Sequence, residues 1–153
     1  MIDADLRATI RTLIAGQSPW PLVLLGPAGT GKSCAALCLL DVAGGWYFTV
    51  AELCEEFIHA QQRQIETTTR RLWERLEQTR LVVVDELGAR ERVSDHHYDT
   101  VKRLLDKREN RPLVCISNHS LERLSQLYDD RLASRLAYGT VLTLHGKDRR
   151  LHC

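Results

Sequence analysis

Short unbroken apolar runs recur along the chain, and they predict strands that are buried on both faces of a sheet. They are found in "PLVLLG", Trp46–Val50, "LVVVD", "RPLVCISN" and "TVLTLH". The segments between these runs carry apolar residues at three- and four-residue spacing, which is the period of an amphipathic helix. Strands that alternate with helices favour parallel strands joined by crossovers. The pattern therefore predicts an α/β fold of three layers around a five-stranded parallel sheet.

Most of the predicted helices have a single apolar stripe. At the N-terminus the stripe consists of Ile2, Leu6, Ile10, Leu13 and Ile14. The segment 33–43 is instead apolar nearly all round, which predicts a helix packed deep against the sheet. Further helices are predicted in "AELCEEFIHAQQRQI", "TTTRRLWERLEQT", "SDHHYDTVKRLLDKREN", "SLERLSQLY" and "DDRLASRLAYG". Because no linker, repeat or low-complexity tract interrupts this order, we expect one domain over residues 1–153.

Composition is that of an ordinary globular protein and excludes several classes. The 153 residues are 44% hydrophobic and 27% charged, with 21 Lys and Arg against 20 Asp and Glu, so bulk charge indicates no polyanionic partner. The N-terminus carries Asp3 and Asp5 where a signal peptide would be basic. No apolar run approaches the ~20 residues of a membrane span. We therefore expect a cytoplasmic protein without a membrane partner.

Cysteine and histidine usage does not indicate a metal site or a disulfide framework. The chain has five cysteines, an odd number, and no CxxC pair. We expect the four that lie in apolar segments to be buried, reduced thiols: Cys34, Cys38, Cys54 and Cys115. The adjacent His96 and His97 stand at a predicted helix start, and we expect both to be surface residues.

The segment "GPAGTGKS", Gly26–Ser33, fits the pattern G-x-x-x-x-G-K-[ST] between a predicted strand and a predicted helix. Its glycines let successive N–H groups point at a phosphate, and the helix start adds the positive end of its dipole. Lys32 is placed to reach the β- and γ-phosphates, and Ser33 to ligate Mg²⁺. We therefore predict a nucleoside triphosphate site formed by Gly26, Pro27, Ala28, Gly29, Thr30, Gly31, Lys32, Ser33 and Cys34.

Polar side chains end two further predicted strands. The run Leu81–Val84 leads directly into Asp85 and Glu86, and "CISN" ends in Asn118. Asp85 is placed to hold the Mg²⁺ shell, and Glu86 to act as base for an attacking water. An amide at Asn118 is placed to orient that water and sense the γ-phosphate. Together with the phosphate loop, these residues predict hydrolysis rather than binding alone.

Two arginines are spaced for one helical face near the edge of the domain. Arg131 and Arg135 are four residues apart in "YDDRLASRLAYG". An arginine here is placed to reach the γ-phosphate of a neighbouring subunit and neutralise charge in the transition state. The alternative is a pair of surface arginines bonded to Asp129 or Asp130.

Taken together, several segments resemble the AAA+ ATPases of the DnaC/IstB type, which are bacterial helicase loaders and transposition helper ATPases. The resemblance covers 22–151 and is carried by "LVLLGPAGTGKS", "LVVVDELG", "PLVCISN", "LSQLYDDRLASRL" and "GKDRRL". It implies a P-loop AAA+ core with ATP and Mg²⁺ bound between protomers that assemble head-to-tail. We expect this chain to lack the N-terminal partner-binding domain and the C-terminal helical lid of such proteins, either as a trimmed ATPase domain or as a stand-alone short form.

The resemblance also assigns roles by position. Lys32 and Ser33 match the Walker A pair, Asp85 and Glu86 the Walker B pair, and Asn118 sensor 1. Arg135 matches the arginine finger that acts in trans, and Arg131 a supporting arginine that contacts nucleotide. Arg149 or Arg150 matches sensor 2, and we include Arg150 in the nucleotide-binding set.

Family resemblance further implies single-stranded DNA and a replicative helicase or a transposase as partners. Arg70, Arg71 and Arg75, with Trp73 between them, are placed to contact backbone phosphates and a base. The alternative is a solvated face whose arginines pair with Glu66, Glu74 and Glu77. Two other functions stay open, a small-molecule P-loop kinase and a binding module that uses ATP as a switch with little turnover.

Overall fold

The computed structural model describes residues 4–63 and 66–146. Their strands are β1 (Leu22–Leu25), β2 (Gly45–Thr49), β3 (Leu81–Asp85), β4 (Leu113–Ser117) and β5 (Thr140–Thr143). Their helices are α1 (Ala4–Ile14), α2 (Lys32–Ala43), α3 (Val50–Gln62), α4 (Glu66–Gln78), α5 (Asp95–Lys107), α6 (Leu121–Leu127) and α7 (Asp130–Tyr138). Every predicted strand and helix is present. Some boundaries differ. In β2 the strand begins at Gly45 instead of Trp46 and ends at Thr49, because Val50 begins α3 and Thr49 caps that helix.

The sheet has the strand order β2-β3-β4-β1-β5, and all neighbouring strands are parallel. Leu25 pairs with Ser117, and Val84 pairs with Cys115. The carboxyl ends of β1, β3 and β4 therefore meet at one edge of the sheet. In open parallel sheets this edge is where ligands bind.

Alternation along the strands divides the core between the two faces of the sheet. On β3, Val82 and Val84 contribute to a cluster that contains residues of α3, α4, α5, α6 and α7. Leu81 and Val83 face the other way, into a cluster with α1 and α2. This arrangement is the predicted three-layer α/β fold. Within residues 4–63 and 66–146, no further group of helices forms a lid, and no helix is long and apolar enough to cross a membrane.

Helix α2 differs from its prediction. Only one side of it packs against the sheet, through Ala35 and Ala36, while Leu37 is 51% exposed and Val42 is 89% exposed. The cause is its place in an outer layer, where a helix can touch the sheet with one side only. The predicted burial of Cys34 and Cys38 is therefore wrong, since both are exposed, whereas Cys54 and Cys115 are buried as predicted.

At the amino ends of β3 and β4 lies a buried cation, Arg108, which is only 2% exposed. Burial lowers the pKa of its guanidinium to about 10. The last carbonyl groups of a helix have no partner inside the helix, and Arg108 supplies donors to those of α4. Its donors reach the carbonyl oxygens of Leu76, Glu77, Thr79, Arg80 and Pro112.

Candidate functional site

The phosphate loop leaves the carboxyl end of β1 and curls back before α2. Gly26, Gly29 and Gly31 have φ values of 134°, 78° and 93°, which side chains rarely adopt. At Gly26 a Cβ would lie 2.2 Å from the carbonyl oxygen of Leu144, so the close approach of the chain after β5 also requires glycine. The Thr30 hydroxyl closes the turn by donating to the Pro27 carbonyl at 2.9 Å.

The amino terminus of α2 has no side-chain cap. Its N-cap residue is Gly31, which has no side chain to accept a hydrogen bond from the first turn. Other helices are capped by a hydroxyl or carboxylate, supplied by Thr49, Ser94, Ser120 and Asp129. The helix start is thus uncapped directly after the loop, and an uncapped helix start is an arrangement that binds phosphate oxygens.

Lys32 lies over the same loop and is only 5% exposed. Its Nζ donates to the carbonyl oxygens of Gly26 and Pro27, each at 2.6 Å, and lies 3.4 Å from the Thr30 hydroxyl. A buried ammonium group needs such partners to offset its lost hydration. The loop therefore concentrates positive charge from Lys32 and the α2 terminus at one point.

Asp85 ends β3 on the face that carries α2, because it follows Leu81 and Val83 in the alternation. Its Oδ2 accepts hydrogen bonds from the Ser33 and Tyr47 hydroxyl groups, both at 2.6 Å. Its Oδ1 accepts the backbone N–H of Glu86, also at 2.6 Å. Burial, followed by the hydrogen bond to Asp85, raises the pKa of Tyr47 well above its ordinary value.

A serine hydroxyl and a carboxylate in contact are the oxygen donors that Mg²⁺ prefers. Ser33 and Asp85 therefore fit the predicted metal. Among the residues that the structure describes, no group of three or more His, Cys, Asp or Glu side chains could hold a metal ion. A site that relies on few protein oxygens is typical of Mg²⁺ that is shared with nucleotide phosphates.

Glu86 follows directly and has a left-handed backbone, with φ 61°. This conformation is uncommon for a residue with a side chain and is found often at functional sites. The side chain is exposed, while the next residue, Leu87, is buried and donates its N–H to the Ile116 carbonyl of β4 at 3.0 Å. The Ser117 hydroxyl donates to the Leu87 carbonyl at 2.6 Å. Glu86 is thus presented to solvent from a turn that is fixed to β4.

Asn118 directly follows β4 and is exposed. Leu25 pairs with Ser117, so Gly26 and Asn118 each directly follow the end of one of two neighbouring strands. The structure therefore brings together the phosphate loop, the Asp85–Glu86 pair and Asn118 at one edge. Arg150, the predicted sensor 2 residue, and Arg149 lie outside the described residues.

The two arginines of α7 have different surroundings. Arg135 forms an ion pair with Asp106 of α5, and Arg131 is exposed. The alternative, in which Arg135 pairs with Asp129 or Asp130, is wrong, because its partner is Asp106. Asp129 caps α7 and accepts a hydrogen bond from the Tyr98 hydroxyl at 2.6 Å. This hydrogen bond and the charge of Arg131 lower the pKa of Asp129.

The predicted DNA-contacting arginines do not form one uniform patch. Arg70 pairs with Glu74 at 3.5 Å, as the solvated-face alternative expects, and Arg71 is exposed. Arg75 lies 4.0 Å above the centre of the Trp46 ring. A base-stacking role for the tryptophan between them is wrong, because Trp73 is buried and stacks on Phe57.

Sequence reasoning also missed a buried contact behind the turn that follows β3. His97 is 7% exposed, so its expected place at the surface is wrong, and its Nε2 lies 2.7 Å from the Tyr128 hydroxyl. The same hydroxyl accepts the Gly88 N–H at 3.4 Å. Burial, with the charges of Arg90 and His96, lowers the pKa of His97. The contact joins α5 and the end of α6 to the turn that carries Glu86.

Comparison with known proteins agrees with this geometry. A family model described as IstB-like ATP binding protein matches residues 3–142. No curated protein matches the chain.

Among solved structures, the DnaC helicase loader has a TM-score of 0.76 at 18% identity, over 92% of this chain and 88% of that one. AMPPCP-bound DnaA from Aquifex aeolicus has a TM-score of 0.77 at 16% identity, over 97% of this chain and 50% of that one. A DnaA bound to AMPPCP and single-stranded DNA has a TM-score of 0.76 at 15% identity, over 92% and 45%. This chain therefore spans about half the length of the DnaA structures, and the likeness shows a shared fold.

Proposed function

This chain belongs to the IstB-like ATP-binding proteins, and we propose that it is a Mg²⁺-dependent ATPase whose nucleotide state controls assembly on DNA or on a DNA-bound helicase. The observation that carries the proposal is the convergence at one sheet edge of an uncapped helix start, Lys32, the Ser33–Asp85 contact and Glu86. Each part fits a different need of phosphoryl transfer: charge neutralisation, metal binding and activation of water.

In this proposal the phosphate loop and Lys32 hold the β- and γ-phosphates. Ser33 and Asp85 would hold Mg²⁺, which would supply positive charge to the phosphate oxygens. Glu86 accepts a proton from the attacking water, and Asn118 orients that water. The water oxygen bonds to the γ-phosphorus as the bond to the β-phosphate oxygen breaks. ADP and inorganic phosphate are the products.

We further propose that protomers associate head-to-tail, so that Arg135 of one reaches the γ-phosphate bound by the next, with Arg131 in support. The ion pair with Asp106 leaves 36% of the Arg135 side chain exposed, which supports this proposal. ATP would then join protomers, and hydrolysis would release them. Exposed Arg70 and Arg71 are the proposed contacts to single-stranded DNA, with Arg75 at the margin.

The client is proposed as a replicative helicase, since structures with this fold include a helicase loader and a DnaA bound to single-stranded DNA. The IstB-like family equally supports a transposition helper that acts with a transposase. Association with purified helicase and with transposase, each in ATP and in ADP, separates these clients.

Product analysis tests the reaction itself. We expect Mg²⁺-dependent formation of ADP and phosphate, and an ATP-bound oligomer that persists in Glu86→Gln because water is no longer activated. Stoichiometric phosphorylation of a nucleoside or other small molecule would instead identify a P-loop kinase. Binding of ATP without turnover, unchanged by Glu86→Gln, would identify an ATP switch.

A further inference from the structure

Beyond the residues that the family motifs identify, Tyr47 touches the proposed metal site. We propose that Tyr47 is a positioning residue, whose hydroxyl holds the Asp85 carboxylate in the orientation that serves Mg²⁺-ATP. The inference rests on the proposed function, because it gives Tyr47 a role in that same site.

The contacts on Asp85 fix the orientation of its carboxylate. The Ser33 and Tyr47 hydroxyl groups donate to one oxygen, Oδ2, and the Glu86 N–H donates to the other, all at 2.6 Å. Hydrogen bonds to an ionised acceptor are roughly twice as strong as those between neutral groups. Asp85 is buried, so water competes little for these positions. With Oδ2 bonded to two hydroxyl groups, Oδ1 retains acceptor capacity for a ligand.

The strand register explains why a tyrosine performs this role. Tyr47 pairs with Val83, two residues before Asp85, and its ring packs in the cluster under α1 and α2. A long side chain from that position can extend along the sheet to the carboxylate. The residue directly opposite Asp85 is Thr49, but its hydroxyl oxygen already caps α3 by accepting the Glu52 N–H at 3.2 Å. The Thr49 hydroxyl, although nearer in the register, therefore serves as the N-cap of α3.

Groups that hydrogen-bond a metal-binding carboxylate affect the metal as well as the protein. Removing such an outer partner typically weakens metal affinity or activity by about 10- to 100-fold. In the proposed site, Ser33 is the hydroxyl that both binds Mg²⁺ and contacts Asp85. Tyr47 donates to this carboxylate, and its hydroxyl also interacts with the Ser33 hydroxyl. Both partners are proposed metal-binding residues, so the effect of Tyr47 should be confined to the metal-dependent part of nucleotide binding.

The chain offers a matched control in Tyr98. Its hydroxyl donates to the Asp129 carboxylate at 2.6 Å, which is the same distance as between Tyr47 and Asp85. Asp129 caps α7 and is not part of the proposed metal site. Tyr98→Phe thus removes an equivalent tyrosine–aspartate hydrogen bond where no metal role is expected.

The test measures binding of a fluorescent ATP analogue to the full chain, first in EDTA and then across a Mg²⁺ series. In Tyr47→Phe we expect the affinity in EDTA to stay within about two-fold of the unmodified protein, and the half-saturating Mg²⁺ concentration to rise about 10-fold or more. Tyr98→Phe should leave both quantities unchanged. In an Asp85→Asn background, Tyr47→Phe should cause little further change, because the donated hydrogen bond of Tyr47 acts on Asp85.

The outcomes separate this inference from the proposed function. If the unmodified protein binds nucleotide in a Mg²⁺-dependent way and Tyr47→Phe does the same, the role of Tyr47 alone is overturned. The same holds if Tyr98→Phe changes the Mg²⁺ dependence as much as Tyr47→Phe does. A Tyr47→Phe chain that does not fold, as judged by circular dichroism, would also overturn it, since a positioning hydroxyl is dispensable for folding. Nucleotide binding that is independent of Mg²⁺ in the unmodified protein would contradict the proposed function, and the role of Tyr47 with it.

Discussion

Two buried cations lie at opposite ends of the sheet, and each is surrounded by backbone carbonyl oxygens. Lys32 donates to Gly26 and Pro27 at the carboxyl end of β1, whereas Arg108 donates to five carbonyl groups around the amino ends of β3 and β4. A guanidinium has its donors in a rigid fork, while an ammonium is a point charge on a flexible stem. Backbone carbonyl partners can therefore serve a binding role for one cation and a structural role for the other. Arg108 fixes the fold, and Lys32 can exchange carbonyl oxygens for those of a phosphate.

A third cation, the half-buried Arg135, extends this comparison to the proposed contact between subunits, and its removal has the largest expected effect. We expect Arg135→Ala to lower ATP hydrolysis by ~10³-fold or more while ATP binding stays near normal, as for loss of an arginine finger. Steady-state hydrolysis and equilibrium nucleotide binding measure the two parts. Asp106→Ala, which removes the ion pair but keeps the guanidinium, is the matched control and should lose far less.

Mixing variants tests whether Arg135 acts in trans. Arg135→Ala keeps Glu86, and Glu86→Gln keeps Arg135, so a mixed interface contains one complete site. Hydrolysis should return on mixing the two inactive variants. A mixture that stays inactive would contradict the trans arrangement.

Lys32 should be essential for nucleotide and nearly dispensable for folding. Lys32→Ala is expected to abolish ATP-dependent assembly and to lower hydrolysis by at least ~10²-fold, the scale of losing one preorganised donor. Its free energy of unfolding should change by less than ~1 kcal/mol, because the loop carbonyls lie near the surface and can bond water instead. Analytical ultracentrifugation with ATP and urea denaturation measure the two effects. If Lys32→Ala still assembles with ATP, or if it unfolds, the proposed difference between Lys32 and Arg108 is contradicted.

Arg108 should show the reverse behaviour. Arg108→Met leaves buried carbonyl groups without donors, and we expect the free energy of unfolding to fall by about 3 kcal/mol. The control is Arg103→Ala, which removes an exposed arginine 4.7 Å from the centre of the Trp73 ring. That loss should be at most ~1 kcal/mol. Equal losses for the two variants in urea denaturation would show that Arg108 is not a structural centre.

The smallest effect concerns the His97–Tyr128 contact. Burial holds the pKa of His97 below its value of about 6.5 in an unfolded chain. The unfolded state therefore binds the proton first, so the free energy of unfolding should fall as pH drops below about 6.5 and be constant above it. His97→Gln should lose less stability between pH 7.5 and 5.5 than the unmodified protein in urea denaturation. His96→Gln is the control. If His97→Gln loses as much stability over this pH range as the unmodified protein, the role of burial is contradicted.

Local patterns were sufficient to predict the sheet, its order of elements and the phosphate loop. "LVVVD" is buried along its whole length because it lies in the middle of the sheet, and such a strand has a continuous apolar sequence. The same reasoning failed for segment 33–43, because an apolar helix in an outer layer still exposes one side. Local spacing shows how apolar a segment is, but not how many neighbours cover it.

Features that depend on contacts between distant segments could not be predicted in this way. Tyr47 and Asp85 are 38 positions apart, and Arg108 and Leu76 are 32 apart, so no local spacing connects them. Tyr47 had one usable signal, since strand pairing places it on the same face as Val83 and Asp85. Arg108 had none, because it resembles the other basic residues of α5 and the turn after it.

The most direct test of shared active sites is the specific rate of ATP hydrolysis across a protein concentration series, with and without single-stranded DNA. If Arg135 completes the site of a neighbouring protomer, the rate per protomer should rise steeply with concentration and rise further with DNA. A rate per protomer that is constant and indifferent to DNA would contradict the account, because each chain would then contain a complete site of its own.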